Sequence, residues 1–359
     1  MSPVLRPIEG DAVWRGPAID WRAVGLHMLS AAEVDEIDAG LAHLHSRGEV
    51  DFPAITRETF PLPTLTRRLA ALGDTLRHGH GFLLLRGLPR ERYALDDLAR
   101  IYTGLGAHIG RPLPQSHLGE LLGHVIDHSD FEPDARGYHS GGGQRMHTDT
   151  CDIVSLMCVR AARAGGASRI ASAAAVHNHL LETRPELLEL LYQDYVCRRR
   201  DRDAELGSGV LVKKVAFFAR GPSGEVSCNL SGDYPRRAHE MGDTVMTALQ
   251  REALDLLQGL AGTPEFYLDM AIDEGDIQFL NNRVILHGRT DYQDWPEVAR
   301  RRHLMRLWLE VPSWPALPAN QGMHSAADFR AWLSRRTPLM ETPSRYLAEM
   351  TRRKQALVA

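Results

Sequence analysis

Two His-x-Asp patterns are the residues of this chain whose types and spacing best suit metal binding. His128 and Asp130 form one pattern, and His147 and Asp149 form the other. With 17 histidines in 359 residues, about one such pattern arises by chance, so the pattern alone predicts nothing. The first pattern leads into proline-containing turn chemistry, whereas the second leads into a strand-like run, where residues i and i+2 share a face. His147 and Asp149 are therefore the better candidates to bind one ion from one side.

A third ligand is needed, because two side chains are too few to hold an open metal site. His287 is the best candidate, since it directly follows the apolar strand-like run Val284–Leu286. A polar histidine within such a strand indicates a specific role. Two histidines and one carboxylate form the facial triad of non-haem Fe(II) oxygenases. A hydrolytic zinc site uses the same residue types, so the ligands alone leave both chemistries open.

A late strand adds two arginines to this question. Alternation over residues 301–309 places Arg302, Leu304, Arg306 and Trp308 on one face of the strand. Charged side chains inside a strand-rich core are costly unless they are paired. The two arginines either pair with protein carboxylates or bind a ligand carboxylate in bidentate fashion. Trp308 is interpreted as either a pocket residue or an ordinary core residue.

The elements that position these residues change in type along the chain. Periodicity and capping signals predict early helices, and short strands separated by turn signals dominate after about residue 120. The predicted helices are 30–44, 64–76, 95–105, 244–260, 326–335 and 344–353, and the predicted strands are 81–87, 152–160, 168–172, a hairpin of 210–220 with 225–230, two strands flanking Asn281-Asn282 in a tight turn, and 301–311. This order favours a sandwich or jelly roll covered by helices, and it lacks the regular βαβ alternation of a doubly wound fold.

Composition narrows the class of protein. The chain is 43% hydrophobic with a net charge of −4, so we expect a globular protein with no nucleic-acid partner. Its four cysteines have no C-x-x-C spacing, which suits a reducing compartment. The N-terminus lacks a hydrophobic signal core, and no apolar run is long enough to span a bilayer. We therefore expect a cytoplasmic protein with no membrane partner.

Four segments together resemble the taurine dioxygenase (TauD/TfdA-like) family of Fe(II)/2-oxoglutarate-dependent oxygenases. They are residues 79–89, the His147-Thr148-Asp149 motif, residues 275–289 and the Arg302-x-x-x-Arg306 pair. Each segment alone is unspecific, whereas the combination is specific. The resemblance implies a mainly β protein with flanking helices and a double-stranded β-helix (jelly roll, cupin-like) core. In this interpretation residues 1–359 form a single oxygenase domain, made of a helical part (1–78), the jelly-roll core with inserted helices (79–312) and C-terminal helices (313–359).

The resemblance also implies roles for individual residues. Fe(II) would be bound by His147, Asp149 and His287, and 2-oxoglutarate would chelate the iron with its distal carboxylate on Arg302. Arg306 would lie near the co-substrate or the substrate. Family chemistry consumes O₂ and 2-oxoglutarate, releases succinate and CO₂, and oxidises, usually hydroxylates, a small organic substrate.

The role of Arg306 stays open at the level of sequence. The first hypothesis is a small-molecule substrate whose carboxylate or similar anion faces Arg306. The alternatives are that Arg306 steadies the iron-bound carboxylate of 2-oxoglutarate, or pairs with a protein acid such as Glu310 on the same face. We expect the substrate pocket to be lined by Tyr138, His139, Gln144, Arg306 and the 200–240 segment. The terminal helices are candidates for a lid, for a homo-oligomer contact, or for plain packing.

The chain departs from the family pattern in two informative places. Ala164 stands where the taurine enzymes have a threonine whose hydroxyl helps to hold 2-oxoglutarate, and Ser168 and Ser172 are candidates to replace it. Gly143 replaces a residue of the taurine-contacting set, so taurine is not the expected substrate. The competing functions are a metal-dependent hydrolase on a cupin-like barrel, which has no use for Arg302, and a non-catalytic protein that binds 2-oxoglutarate.

Overall fold

Seventeen strands and eleven α-helices are found in the computed structural model, which describes residues 5–132, 137–231, 233–338 and 341–358. The strands are β1 Leu26–Met28, β2 Phe82–Arg86, β3 Arg111–Pro112, β4 Leu122–Val125, β5 Gln144–His147, β6 Ile153–Arg160, β7 Ala164–Gly165, β8 Ser168–Ser172, β9 Tyr195–Arg198, β10 Val212–Val215, β11 Phe218–Arg220, β12 Val226–Cys228, β13 Tyr267–Met270, β14 Ile277–Asn281, β15 Ile285–Arg289, β16 Tyr292–Gln293 and β17 His303–Glu310. The helices are α1 Trp21–Gly25, α2 Ala31–Ser46, α3 Leu65–His78, α4 Leu95–Ala107, α5 Ala173–Thr183, α6 Pro185–Leu191, α7 Asp201–Glu205, α8 Tyr234–Glu240, α9 Ala248–Ala261, α10 Ala326–Leu333 and α11 Pro343–Val358.

Two sheets form the centre of the fold. The larger has the strand order β1-β2-β14-β6-β17-β3, with β4 also paired to β17, and the smaller has the order β13-β8-β15-β5. Apolar side chains of both sheets meet in one buried cluster, for example Leu84 and Val154 of the larger sheet with Ile170 and Ile285 of the smaller. The predicted jelly-roll core with flanking helices is confirmed, and its two sheets are those of a double-stranded β-helix.

Helices cover the outer faces of both sheets because the strands are apolar on both sides. Met305, Leu307 and Leu309 of β17 pack with Leu98 and Ile101 of α4 in a second buried cluster. These are the residues that alternation placed on the opposite face from Arg302 and Arg306. Helices α5, α6 and α9 cover the smaller sheet in the same way. Strand β17 therefore directs one face to a helix and the other to the space between the sheets.

The local predictions hold for most elements and fail where the chain makes long-range contacts. Helix α2 begins with the predicted capping box, and β8 has the predicted bounds. The long strand predicted at 210–220 is wrong, because the backbone N–H groups of Ala216 and Phe217 bond to Asn320 and Leu191. As a result β10 pairs with β9, and the hairpin of β11 and β12 is short. Helix α9 begins later than predicted, since Thr247 forms its capping box.

The predicted tight turn forms at residues 281–284, where the Val284 amide donates to the Asn281 carbonyl at 3.1 Å, but it uses no positive φ. It lies between β14 of the larger sheet and β15 of the smaller, so the chain crosses between sheets here. Throughout the described residues only glycines have positive φ. The N-terminal part also contributes β1, which pairs in parallel with β2. None of the helices in the described ranges combines the length and apolarity needed to cross a bilayer.

Candidate active site

Three side chains with metal-ligand chemistry meet between the two sheets. His147 ends β5 and lies opposite His287 in the register of β5 with β15. Asp149 follows two residues after His147, and one ligand atom from each of the three lies within 4.8 Å of the others. The Asp149 carboxylate is 3.9 Å from His147 Nε2 and 3.7 Å from His287 Nε2. The structure therefore brings the three predicted residues together in an arrangement that could hold one ion.

The side chain of Asn282 fixes the backbone that carries Asp149. Its Oδ1 accepts a hydrogen bond from the Asp149 amide at 2.9 Å, and its Nδ2 donates to the carbonyls of Asp149 at 2.6 Å and Cys151 at 2.9 Å. Asn282 sits where the chain crosses between the sheets, so the crossing itself positions the carboxylate. Sequence reasoning noted this asparagine only as a turn residue.

The protonation states of the cluster suit a metal. His147 Nδ1 donates to the carbonyl of Arg145 at 2.9 Å, which leaves Nε2 with the lone pair that a metal needs. Burial and the neighbouring His287 lower the pKa of His147 to about 4, so the ring is neutral at neutral pH. Burial alone would raise the pKa of Asp149, but the charge of Arg306 and the contacts with His287 hold it well below its usual range. His287 Nδ1 is buried without a hydrogen-bond partner among the described residues.

Two residues of β17 hold one oxygen of the Asp149 carboxylate. The Trp308 indole donates from Nε1 to Asp149 Oδ2 at 2.8 Å, and Arg306 Nη1 lies 3.5 Å from the same oxygen. Arg306 also donates from Nε to Gln115 Oε1 at 2.7 Å and lies over the Tyr138 ring, 4.4 Å from its centroid. Oδ1 is the carboxylate oxygen nearest His147. Trp308 is thus part of the site, and alternation with Arg302 and Arg306 was the signal that identified its face.

Arg306 does pair with a protein acid, but that acid is Asp149 and not the suggested Glu310. Glu310 forms an ion pair with Arg111 instead, and its side chain is 40% exposed. Strand β3 lies beside this end of β17 and brings Arg111 to it.

The Arg302 guanidinium is buried beside the cluster without a compensating carboxylate. The residue is 5% exposed, its Nη2 donates to the Gly166 carbonyl at 3.2 Å, and its Nη1 has no hydrogen-bond partner. No acidic side chain in the described ranges forms an ion pair with it, and desolvation lowers its pKa. A buried guanidinium without a carboxylate partner costs folding free energy, and a bound carboxylate would offset that cost. Arg302 therefore has the free donors that a carboxylate ligand requires.

A small cavity joins Arg302 to the two histidines. Besides Arg302, its wall includes Tyr138, Gln144, His147, Ser168, His287, Arg289 and Arg306. Tyr138, Gln144 and Arg306 were predicted pocket residues; His139 is not part of this wall, and its Nε2 contacts the His124 carbonyl instead. Of the two serines considered as replacements at Ala164, Ser168 lines this cavity, whereas Ser172 caps helix α5.

The other His-x-Asp pattern has a structural role. Asp130 pairs with Arg301 at 2.7 Å and with Lys354 at 2.8 Å, and both partners lower its pKa. The His128 ring contacts the His139 ring in a tilted arrangement, with centroids 4.0 Å apart. These contacts tie the 127–131 segment to the residues just before β17 and to helix α11, so this pattern does not join the cluster.

Comparison with known proteins identifies the family. The model of the "Taurine catabolism dioxygenase TauD, TfdA family" matches residues 48–308. The chain belongs to this family. It is 31% identical over 319 residues to the taurine hydroxylase-like protein SAT17 of Stachybotrys chartarum, covering 84% of this chain and 79% of that protein. It is 26% identical over 328 residues to FR-33289 synthase of Streptomyces rubellomurinus, covering 89% and 95%. As a TauD/TfdA protein it is an Fe(II)- and 2-oxoglutarate-dependent oxygenase.

Solved structures share the fold at low sequence identity. Asparagine oxygenase superimposes with a TM-score of 0.63 and 17% identity over 85% of this chain and 99% of that one. The non-heme iron oxygenase OrfP in complex with Fe and alpha-ketoglutaric acid gives a TM-score of 0.56 and 16% identity over 79% and 94%. This chain therefore shares its fold with these two oxygenases.

Proposed function

We propose that His147, Asp149 and His287 bind Fe(II), that Arg302 binds the distal carboxylate of 2-oxoglutarate, and that the enzyme hydroxylates a small organic substrate. One observation carries the proposal: three ligand atoms within 4.8 Å share a cavity with a buried arginine that lacks a carboxylate partner. Iron with bound 2-oxoglutarate supplies O₂ activation, with succinate and CO₂ as co-products. The residues described above suit that group, because they offer neutral imidazole nitrogen, a carboxylate and free guanidinium donors.

Side chains of this protein orient the co-substrate and the carboxylate of Asp149. Arg302 would hold the distal carboxylate of the co-substrate with its free guanidinium donors. Trp308 and Arg306 hold Asp149 Oδ2, so that the carboxylate keeps one orientation. Ser168 lines the same cavity, but its single hydroxyl donor is used on Gln278 Oε1 at 2.9 Å, so it does not supply the donor of the missing threonine. We further propose one oxygenase domain over residues 1–359, acting in the cytoplasm, where its four free cysteines stay reduced.

We assign Arg306 to the co-substrate side of the iron. It lines the same cavity as Arg302 and pairs with Asp149. Loss of Arg306 therefore removes the positive charge that compensates the Asp149 carboxylate, a proposed metal ligand. Arg306→Met should therefore reduce substrate-free 2-oxoglutarate decay as strongly as substrate oxidation. Both rates are measured as succinate formation, with and without substrate. Loss of substrate oxidation alone would contradict this assignment and place a substrate anion at Arg306.

Trp308 is predicted to strengthen metal binding through Asp149. Trp308→Phe keeps the ring in the core but removes the indole N–H that donates to Asp149 Oδ2. Loss of such an outer partner typically costs about 10- to 100-fold in metal affinity. The expected result is weaker Co(II) or Fe(II) binding in an anaerobic titration of the purified protein. Trp295→Phe, which alters a ring stacked on Arg300 away from the cluster, is the matched control. Equal metal affinities of the Trp308→Phe and Trp295→Phe variants would show that Trp308 does not support metal binding.

The substrate is proposed to be a small organic anion. The chain is 28% identical over 257 residues to the uridine-5'-phosphate dioxygenase of an Amycolatopsis species, a relative whose name records a phosphorylated substrate. This likeness covers 65% of the chain, so it supports the class of substrate and not uridine-5'-phosphate itself. Lys213, which has no ion-pair partner within the residues that the structure describes, lines a larger cavity beside the metal cluster and supports the same class.

The direct test of the proposed function is Fe(II)-dependent conversion of 2-oxoglutarate to succinate by the purified enzyme. We expect slow turnover without substrate, abolished by an iron chelator and restored by Fe(II) but not by Zn(II). A metal-dependent hydrolase would instead be active with Zn(II) and without 2-oxoglutarate. A non-catalytic binder would bind 2-oxoglutarate and release no succinate under any condition. Either outcome would contradict the proposal.

A further inference from the structure

A second, larger cavity adjoins the cluster on the side of Asp149. Its volume is about 510 Å³, within the range of small-molecule sites. Asp149 lines this cavity, whereas His147, His287 and Arg302 line the small one. The three proposed ligands thus border two spaces. The small one contains the arginine assigned to 2-oxoglutarate, which leaves the larger one for another molecule.

The charges that line the larger cavity are paired, with one exception. Its charged side chains are Asp149, Asp152, Lys213, Arg283 and Glu310. Asp149 pairs with Arg306, Asp152 with Arg283 at 2.6 Å, and Glu310 with Arg111. Lys213 has no ion-pair partner in the part of the chain that the structure describes. The cavity therefore has one uncompensated positive charge.

Lys213 is half-buried in β10 and is held toward this cavity. Its Nζ donates one hydrogen bond, to the Gly322 carbonyl at 2.8 Å, so two of its three donors remain available. Burial lowers its pKa, and Asp328, whose charge opposes that shift, is already paired with Arg199 at 2.9 Å. The neighbouring Lys214 is exposed, because successive residues of a strand point to opposite faces.

An aromatic wall connects this part of the cavity to the metal cluster. His324 lines the cavity, and its ring stacks on Trp308 with centroids 6.4 Å apart. Trp308 in turn donates to Asp149 at 2.8 Å. Burial and the charge of Arg199 lower the pKa of His324 to about 3, so this imidazole is neutral and adds no second cation.

We infer that this cavity binds the primary substrate and that Lys213 recognises an anionic group on it, a carboxylate, phosphate or phosphonate. The inference rests on the proposed function for the identity of the metal but not for the existence of the anion site. Asp149 then places the reacting part of the substrate next to the iron, and Lys213 fixes its charged end. The carboxylate clamp for the co-substrate and the anion site for the substrate are separate groups, because Arg302 directly precedes β17 and Lys213 lies in β10.

Inorganic phosphate is the probe that tests the anion site. It is titrated into protein loaded with Mn(II) and 2-oxoglutarate, and binding is followed by calorimetry and by Mn(II)-induced relaxation of the ³¹P signal. We expect saturable binding with enhanced relaxation in the wild type. Lys213→Gln, which keeps a donor for Gly322 without the charge, should weaken binding by at least about tenfold. Lys213→Arg and the control Lys214→Gln should bind phosphate as the wild type does.

Three results would overturn the inference. The first is that phosphate does not bind saturably to the wild type. The second is that phosphate binds to Lys213→Gln as tightly as to the wild type. The third is that uncharged trimethyl phosphate binds to the wild type as tightly as phosphate does, a comparison that needs no variant. Substrate-free succinate formation is measured on the wild type and on the control Lys214→Gln, and the two should have the same rate. Absence of succinate with the wild type would instead contradict the proposed function, so the two failures are distinguishable.

Discussion

Replacing His147 or His287 with alanine is expected to abolish Fe(II)-dependent 2-oxoglutarate turnover while the protein stays folded. Each change removes one of three nitrogen or oxygen ligands, and an open site with two ligands cannot keep the geometry that O₂ activation needs. Metal affinity should fall by more than about 100-fold, beyond the loss for outer partners. Succinate formation, anaerobic metal titration and thermal unfolding measure the three effects. Wild-type turnover under limiting metal would exclude that residue as a ligand.

Asp149 needs a different substitution, because its carboxylate also compensates Arg306. Asp149→Ala would leave that buried guanidinium with only Gln115 as a side-chain hydrogen-bond partner, so part of its effect would be on folding. Asp149→Asn keeps the shape and removes the charge, and it should also abolish turnover. His128→Gln and Asp130→Asn are matched controls in the other His-x-Asp pattern and should leave turnover largely intact.

Arg302→Gln is expected to raise the KM for 2-oxoglutarate strongly while Fe(II) still binds. The guanidinium is buried with a free Nη1, so the co-substrate carboxylate would form a desolvated charge-assisted pair with it. Truncating one partner of such a pair costs about 2–5 kcal/mol, or roughly 30- to several-thousand-fold. Succinate formation at varied 2-oxoglutarate, together with metal titration, separates the two effects.

The matched control for Arg302 lies two residues before it. Arg300 has a side chain 53% exposed, near Glu297 and over the Trp295 ring. Arg300→Gln should leave the KM for 2-oxoglutarate unchanged. A change below about threefold for Arg302→Gln, against the expected loss, would move the carboxylate clamp to another arginine.

The sequence predicted those parts of the site that depend on strand periodicity. Arg306 and Trp308 point to one side because they are two residues apart in β17. Strand β5 ends at His147 and Arg302 directly precedes β17, so Asp149 and Arg302 lie next to the predicted strands and not within them. Helix α2 was equally predictable, since its capping box is a local signal. Such features need only the geometry of one element.

Features that join distant segments could not be predicted in this way. Nothing local indicates that Asn282 bonds to the backbone of Asp149, 133 positions earlier. The pairing of β10 with β9, which directs Lys213 and Lys214 to opposite sides, is likewise set by tertiary contacts. Sequence reasoning also could not locate the partner of Glu310, because Arg111 reaches it from β3.

The central claim is that one iron lies between His147, Asp149 and His287 with 2-oxoglutarate directed to Arg302. The most direct measurement is a crystal structure of the enzyme prepared anaerobically with Fe(II) and 2-oxoglutarate, with anomalous diffraction collected at the iron absorption edge. The account predicts one anomalous peak bonded to His147 Nε2, Asp149 Oδ1 and His287 Nε2, with the distal carboxylate of the co-substrate on Arg302. An iron peak elsewhere, or 2-oxoglutarate bound away from Arg302, would contradict it.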